Sequence, residues 1–259
     1  MTAGGGHVID DQIGSQHRHN GKGGSHNNTA HIVENVLIEN RAQVCADRSP
    51  GHPMITNPEI DKYMQDLLPS RDEVVAEIEA YASERNIPIV GPAVGRFLAA
   101  LVMMTKARRI FELGSAIGYS TIWLARAAGQ NAEVHYSDGS AENAKRARSY
   151  FERAGVASRI QVHTGDALSA LAGTSGEFDL IFNDVDKQGY PAVLDAVPSR
   201  IKSGGLFVTD NTLWHARVLN PKEQSDYAVT EFNRRLFASP HFYVTQVPLR
   251  DGVSVGIRL

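Results

Sequence analysis

The apolar residues of this chain change their spacing once, and the change divides it. Between residues 31 and 107 they recur three and four apart. HIVENVLIEN starts the pattern, and RDEVVAEIEAYASERN carries it through an amphipathic helix with Ser70 as its candidate N-cap. GPAVGRFLAALVMMTKA, at 91–107, is apolar enough for a buried helix. From there on short apolar runs alternate with helical segments. RRIFELG, AEVHYSD, RIQVHTGD, EFDLIFND and GLFVTDN read as strands, and SAIGYSTIWLARAAG, SAENAKRARSYFERAG and YPAVLDAVPSRIKSGG as the helices among them. Strands and helices in turn predict an α/β fold, a doubly wound and mostly parallel sheet covered on both faces. The end differs. After the helix EFNRRLFA, the segments FYVTQVPL and VSVGIRL flank the turn RDG, which predicts an antiparallel hairpin at the sheet edge and seven strands in all.

Composition adds a third part. Residues 1–30 contain GGGH and HRHNGKGGSHNN with almost no apolar clusters, too little to offset the entropy of ordering them. They are expected to form a disordered polar tail; His7, His17, His19, His26 and His31 can hold a metal ion loosely, but a flexible tail is the plainer reading. The expected organisation is therefore this tail, helices over 31–107 packing on the core, and a main domain over 108–259. The single cysteine, Cys45, allows no intrachain disulfide, and no apolar segment follows Met1, so the cytoplasm is the expected setting. FLAALVMM at 97–104 falls well short of the roughly 20 residues that span a bilayer, so no membrane span is expected. A net charge of −3 provides no broad basic field for nucleic acid.

In open parallel sheets, ligands bind beyond the carboxyl ends of the strands, and five such ends carry chemistry here. ELGSAIGYS closes the first strand and opens a helix. Gly114 and Gly118 let the backbone turn tightly and approach a ligand, while the helix start offers free N–H groups; the spacing is not the Gly-x-Gly-x-x-Gly of dinucleotide enzymes. The second strand ends in Asp138, placed to accept hydrogen bonds from two ribose hydroxyls, although it can also cap the next helix, as can Ser140. The third ends at Asp166, within reach of an adenine amino group. A glycine loop, an acid and another acid in that order fit S-adenosylmethionine better than NAD.

The fourth strand runs into FNDVDKQGY and the fifth into TDN. Neighbouring strand ends lie side by side, so Asp184, Asp210 and Asn211 converge as an all-oxygen set suited to Mg²⁺, Ca²⁺ or Mn²⁺, with no His or Cys for zinc. Lys187, three residues past Asp184, is placed to act as a base or orienting group for an acceptor hydroxyl; a solvated surface lysine is the plain alternative. Asp186 reads as an exposed helix-start acid.

ELGSAIGYS, YSDGS, GDA, FNDVDKQGYP, DNTLWHARV and PLRDGVSVGIRL, in this order, resemble the cation-dependent, class I S-adenosylmethionine O-methyltransferases of the catechol and caffeoyl-CoA type, over residues 58–259. The resemblance implies a Rossmann-like fold and a role for each motif. Asp184, Asp210 and Asn211 would hold the divalent ion and Lys187 would be the general base. Glu112, Gly114, Tyr119, Ser120, Asp138 and Asp166 would contact S-adenosylmethionine, with Gly118 in the same loop and Asp184 shared with the ion. Trp214 would lie by the acceptor, though simple packing would also explain it, and a homodimer would form through the N-terminal helices. Two departures fall beside the expected acceptor pocket: Asn183 where the family often has isoleucine or leucine, and His215 or Ala216 where it usually has a small residue, often glycine. The expected reaction is methyl transfer to a hydroxyl of a small, catechol-like aromatic. Methylation of a hydroxylated tRNA base, and a non-catalytic module binding S-adenosylmethionine, are the alternatives.

Overall fold

The computed structural model describes residues 57–259. The expected polar tail with its histidines, the HIVENVLIEN segment and Cys45 lie outside the described residues. The first helix, α1 (Pro58–Asp66), is capped by Asn57 and buries none of its residues. Helix α2 (Glu73–Arg85) starts later than expected, because its N-cap is Asp72 and not Ser70: the Asp72 carboxylate accepts from the Val75 N–H at 3.4 Å. Helix α3 (Gly91–Thr105) buries Val94, Leu98, Leu101 and Val102, one stripe at helical spacing.

Alternation then holds through β1 (Arg109–Leu113), α4 (Tyr119–Ala128), β2 (Glu133–Asp138), α5 (Ala141–Arg153) and β3 (Ile160–Thr164). It continues with α6 (Ala167–Gly173), β4 (Phe178–Asn183), α7 (Tyr190–Ala196), β5 (Ile201–Thr209) and α8 (Gln224–Phe237), and closes with β6 (Phe242–Val247) and β7 (Val253–Arg258). One expected helix needs correction, and one helix is unexpected. The segment YPAVLDAVPSRIKSGG is not one helix: Pro198 cannot continue it, so α7 stops at Ala196, a short 3₁₀ turn follows, and IKSGG already belongs to β5. GDALSAL holds a short helix, α6, that the periodicity of so brief a segment does not reveal.

The seven strands form one sheet in the order β3-β2-β1-β4-β5-β7-β6, parallel from β3 to β5 and antiparallel at the β7–β6 edge. Helices α2 to α5 cover one face over Ile110, Val134, Leu180, Phe182 and Val208. Helices α6 to α8 cover the other over Phe111, Leu113, Ile181 and Phe207. The chain winds outward to β3 from β1 and outward to β5 from β4, so the crevice between β1 and β4 is the topological switch point. Among the described residues no helix is long and apolar enough to cross a membrane.

One row of residues does not fit an apolar core. Leu113, Asn183, Thr209 and Ser254 are in register across β1, β4, β5 and β7, on the α6–α8 face. Asn183, Thr209 and Ser254 are fully buried, and neither amide atom of Asn183, nor the two hydroxyls, has a hydrogen-bond partner. Asn183 is therefore part of the closed sheet face and not of an open pocket wall. Replacing a buried polar group that lacks partners by an apolar one of similar shape removes a desolvation cost of about 1–3 kcal/mol. The variant Asn183→Leu is expected to be more stable than wild type by an amount in that range in urea unfolding; a loss of stability would show that the amide has polar partners.

Candidate active site

Beyond β1 the backbone of Ser115 to Gly118 crosses the switch point. Gly114 has φ +81°, and a Cβ there would stand 2.5 Å from the carbonyl oxygen of Asp184, so the loop after β1 lies directly against the loop after β4. Gly118, at φ +85°, spends its missing side chain differently: a Cβ would meet the Phe151 ring of α5 at 2.5 Å, a packing requirement. Glu112 precedes this loop and is completely buried. Thr121 donates to its Oε2, whereas Oε1 has no partner, and burial pushes the carboxyl up to about 7 despite the hydroxyls of Ser120, Thr121 and Ser115 around it. An orphaned carboxylate oxygen beside a tight glycine turn suits a cationic ligand group such as the sulfonium or ammonium of S-adenosylmethionine.

The neighbouring acids are partly engaged already. Asp138 accepts from the Ala116 N–H at 3.0 Å with Oδ2, and from the Ser140 N–H and the Asn143 amide at 2.8 and 3.1 Å with Oδ1. It thus ties the loop after β2 to the glycine loop and keeps acceptor capacity, since a carboxylate has about four lone-pair sites. Ser140 caps α5 through the Asn143 N–H, and Asp166 caps α6 through the Ser169 N–H at 2.7 Å while remaining exposed. Ser120 is buried at the start of α4; Tyr119 is buried as well, its hydroxyl donating to Glu79 Oε1 at 2.6 Å. Tyr119 therefore points towards α2.

Asn183 and Thr209 are paired in register, so Asp184 and Asp210 are the next residues out on adjacent parallel strands. Their main chains are pinned, Asp184 N–H to Leu113 O at 2.8 Å and Asp210 N–H to Asn183 O at 3.1 Å, while Tyr190 donates to Asp210 O at 2.8 Å. Lys187 Nζ bonds Asp184 Oδ1 at 2.9 Å and lies 5.1 Å from the centre of the Tyr190 ring and 5.6 Å from that of Trp214. Asp210 is 2% exposed and its Oδ1 has no partner. Burial, and then the negative charge of Asp184, pushes it up to about 7; burial raises Asp184 too, against the pull of Lys187. Two repelling carboxylates, the half-buried Asp184 and the buried Asp210 with its orphaned oxygen, suit a hard divalent cation, with Asn211 as the adjacent neutral oxygen donor. Among the described residues no group of three or more His, Cys, Asp or Glu side chains is arranged to hold a metal, so such an ion would need the amide and oxygens from outside the chain.

The segment after β5 is unusual. Asn211 has φ +53°, and Trp214, His215 and Ala216 follow with φ of +47°, +51° and +59°. Left-handed backbone costs roughly 1–2 kcal/mol for each non-glycine residue, so a run of three is held by its surroundings. Trp214 Nε1 donates to Asp226 Oδ1 at 3.0 Å, and Asp226 also accepts from the N–H groups of Lys222 and Glu223. Asp251, in the turn between β6 and β7, accepts from the His215 N–H. The sequence reading passed over Asp226, Asp251 and Tyr190. Asp251 looked like an ordinary turn acid, and only the pairing of β7 with β5 brings it to this segment.

With this geometry in view, the kinship is clear. Residues 69–259 match the O-methyltransferase family. A catechol O-methyltransferase of Niastella koreensis is 33% identical over 188 residues, 70% of this chain and 85% of that protein. A caffeoyl-CoA O-methyltransferase of Eucalyptus globulus is 28% identical over 242 residues, 85% of this chain and 97% of its own. The crystal structure of the O-methyltransferase TomG from Streptomyces achromogenes, involved in tomaymycin synthesis and solved in complex with SAM, superposes with a TM-score of 0.71 at 27% identity, covering 77% of this chain and 96% of that one. The chain belongs to the S-adenosylmethionine-dependent O-methyltransferase family.

Proposed function

We propose that this enzyme methylates a hydroxyl oxygen of a small, catechol-like aromatic in a reaction that depends on a divalent cation, Mg²⁺ or alternatively Ca²⁺ or Mn²⁺. The observation that carries the reading is the Asp184–Lys187 pair set beside the buried Asp210 carboxylate, with the Trp214 ring over the lysine. Asp184, Asp210 and Asn211 hold the cation. Bound there, it supplies positive charge that favours ionisation of a hydroxyl and suits a pair of vicinal oxygens. S-Adenosylmethionine would supply a methyl group on a positively charged sulfur, which is left as a neutral thioether when its bond to the methyl breaks and the bond to oxygen forms.

The chain's own residues do the rest. Glu112 and the turn at Gly114 hold the charged end of the cofactor, with Gly118, Tyr119 and Ser120 continuing the same loop. Asp138 receives the ribose hydroxyls and Asp166 the adenine edge, while Asp184 faces both ligands. With the cation in place to offset Asp184 and Asp210, Lys187 Nζ in its neutral amine form would take the hydroxyl proton, and the indole of Trp214 would lie against the acceptor ring and orient its oxygen. The catechol O-methyltransferase name of the Niastella koreensis relative supports this acceptor class. A cytoplasmic homodimer is part of the same proposal.

Two outcomes test it. Lys187→Met is expected to lower the rate of methyl transfer to a catechol roughly 10²- to 10⁴-fold, and EDTA or Asp210→Ala to abolish it, with S-adenosylmethionine binding retained by calorimetry in every case. Undiminished turnover under chelation overturns the cation's role. Cation affinity also follows pH in a defined direction. Asp210 is pushed up to about 7, and only the ionised carboxylate binds the ion, so protons compete as pH falls. The affinity measured by Mn²⁺ titration should hold above pH 8 and weaken by up to about tenfold per unit below 7; a pH-independent affinity between 8 and 6 counts against Asp210 as ligand.

A further inference from the structure

We infer that Asp251 is a positioning residue for the acceptor side of the site, holding the left-handed run Trp214–Ala216 in the shape that sets the indole against Lys187. The inference rests on the proposed methyl transfer for its kinetic readout and on geometry for its basis.

The run has no conformational support of its own. Trp214, His215 and Ala216 all have a Cβ, and residues with a Cβ visit the left-handed region singly, not three in succession. Such backbone persists only where neighbouring groups over-determine it, and it concentrates at ligand sites. Two elements hold this one. From α8, the Asn233 amide donates to Thr212 O at 2.6 Å and Asp226 accepts from the Trp214 indole. From the β6–β7 turn, Gly252 O accepts from the Thr212 N–H at 3.0 Å, Asp251 O from the Leu213 N–H at 2.9 Å, and the Asp251 carboxylate from the His215 N–H. The last bond is fixed to the middle of the run.

Asp251 is costly to keep where it is. It is 7% exposed, and its second oxygen, Oδ2, is buried without a hydrogen-bond partner, with His215 Nε2 3.6 Å away. A buried carboxylate with one orphaned oxygen costs free energy that the surrounding structure has to offset. The turn brings it close: Gly252, at φ +86°, has room for no side chain, since a Cβ would stand 2.5 Å from Leu213 Cγ. Asp251 therefore reaches the run because the hairpin turn is pressed against it. The carboxylate shows no hydrogen bond to the proposed ion ligands or to Lys187, although its charge is felt at Lys187; its hydrogen bond goes to the His215 N–H, in the run that carries Trp214.

Three variants test this against a general structural role. Asp251→Ala removes the acceptor of the His215 N–H, and the KM for a catechol acceptor should rise roughly ten- to a hundredfold, with the dissociation constant for S-adenosylmethionine unchanged. Asp251→Asn keeps an oxygen in place and should stay within about threefold of wild type. Adding Ala216→Gly to Asp251→Ala relieves the left-handed run where it is most easily relieved, and should recover much of the lost KM. An equal loss in acceptor and cofactor binding, or no rescue by glycine, overturns the proposal. Hydrogen exchange of the 211–217 segment keeps the clamp separate from the reaction: Asp251→Ala should speed exchange at His215 and Asp251→Asn should not. If wild type methylates no catechol while exchange responds in this way, the clamp stands and the functional reading falls; unchanged exchange in Asp251→Ala sinks the clamp itself.

Discussion

Two carboxylates leave adjacent parallel strands one step beyond a buried register pair, and almost everything about this site follows from keeping them there. Asp210 is buried and Asp184 half-buried, and neither can ionise without opposing the other. A fold does not tolerate such a pair unless something positive is provided. Lys187 provides part of it, through a 2.9 Å bond to Asp184, and leaves an oxygen of Asp210 unpartnered. The rest of the molecule holds the pair rigidly: β1 pins the Asp184 backbone, Tyr190 holds the Asp210 carbonyl, and the glycine turn at Gly114 closes against Asp184.

That rigidity connects the two halves of the proposed chemistry. The loop after β1, with Glu112 behind it, and the loop after β4, with Asp184 at its head, touch backbone to backbone at the switch point. A cofactor held by one and an acceptor held by the other would therefore meet across a junction without room for even a methyl side chain. The proposed acceptor side is built at greater local cost. Its left-handed run is held from α8 by Asp226 and from the terminal hairpin by Asp251, so the C-terminal elements that look like simple edge cover also shape the site.

Much of this was legible in the residues. The alternation of strands and helices specified the sheet, its parallel core and its antiparallel edge, because hydrophobic period and turn chemistry agree through most of that region. FNDVDK and TDN marked the two acids, because charged residues immediately after buried strands are conspicuous. What the sequence did not show depends on contacts between distant segments. Asp251 sits in a hairpin turn where an acid is ordinary, and its bond to the residue 215 amide exists only because β7 returns beside β5. Gly118 reads like a ligand-approach glycine, yet its space is filled by Phe151. Asn183 looked like part of a pocket, and the register placed it in a buried polar row with Thr209 and Ser254. Short segments failed for a local reason: seven residues of α6 are too few for periodicity to register, and Ser70 lost the cap to Asp72 because Asp72 is the acid directly before the first helical residue.

The central claim is that these two carboxylates, with Asn211, form a divalent-cation site. Crystals grown with Mn²⁺ and S-adenosylhomocysteine, with diffraction measured for the anomalous signal of manganese, locate the ion directly. A single strong peak within about 2.5 Å of Asp184, Asp210 and Asn211 oxygens is the predicted result. A strong peak elsewhere, or none at this position at saturating Mn²⁺, contradicts it.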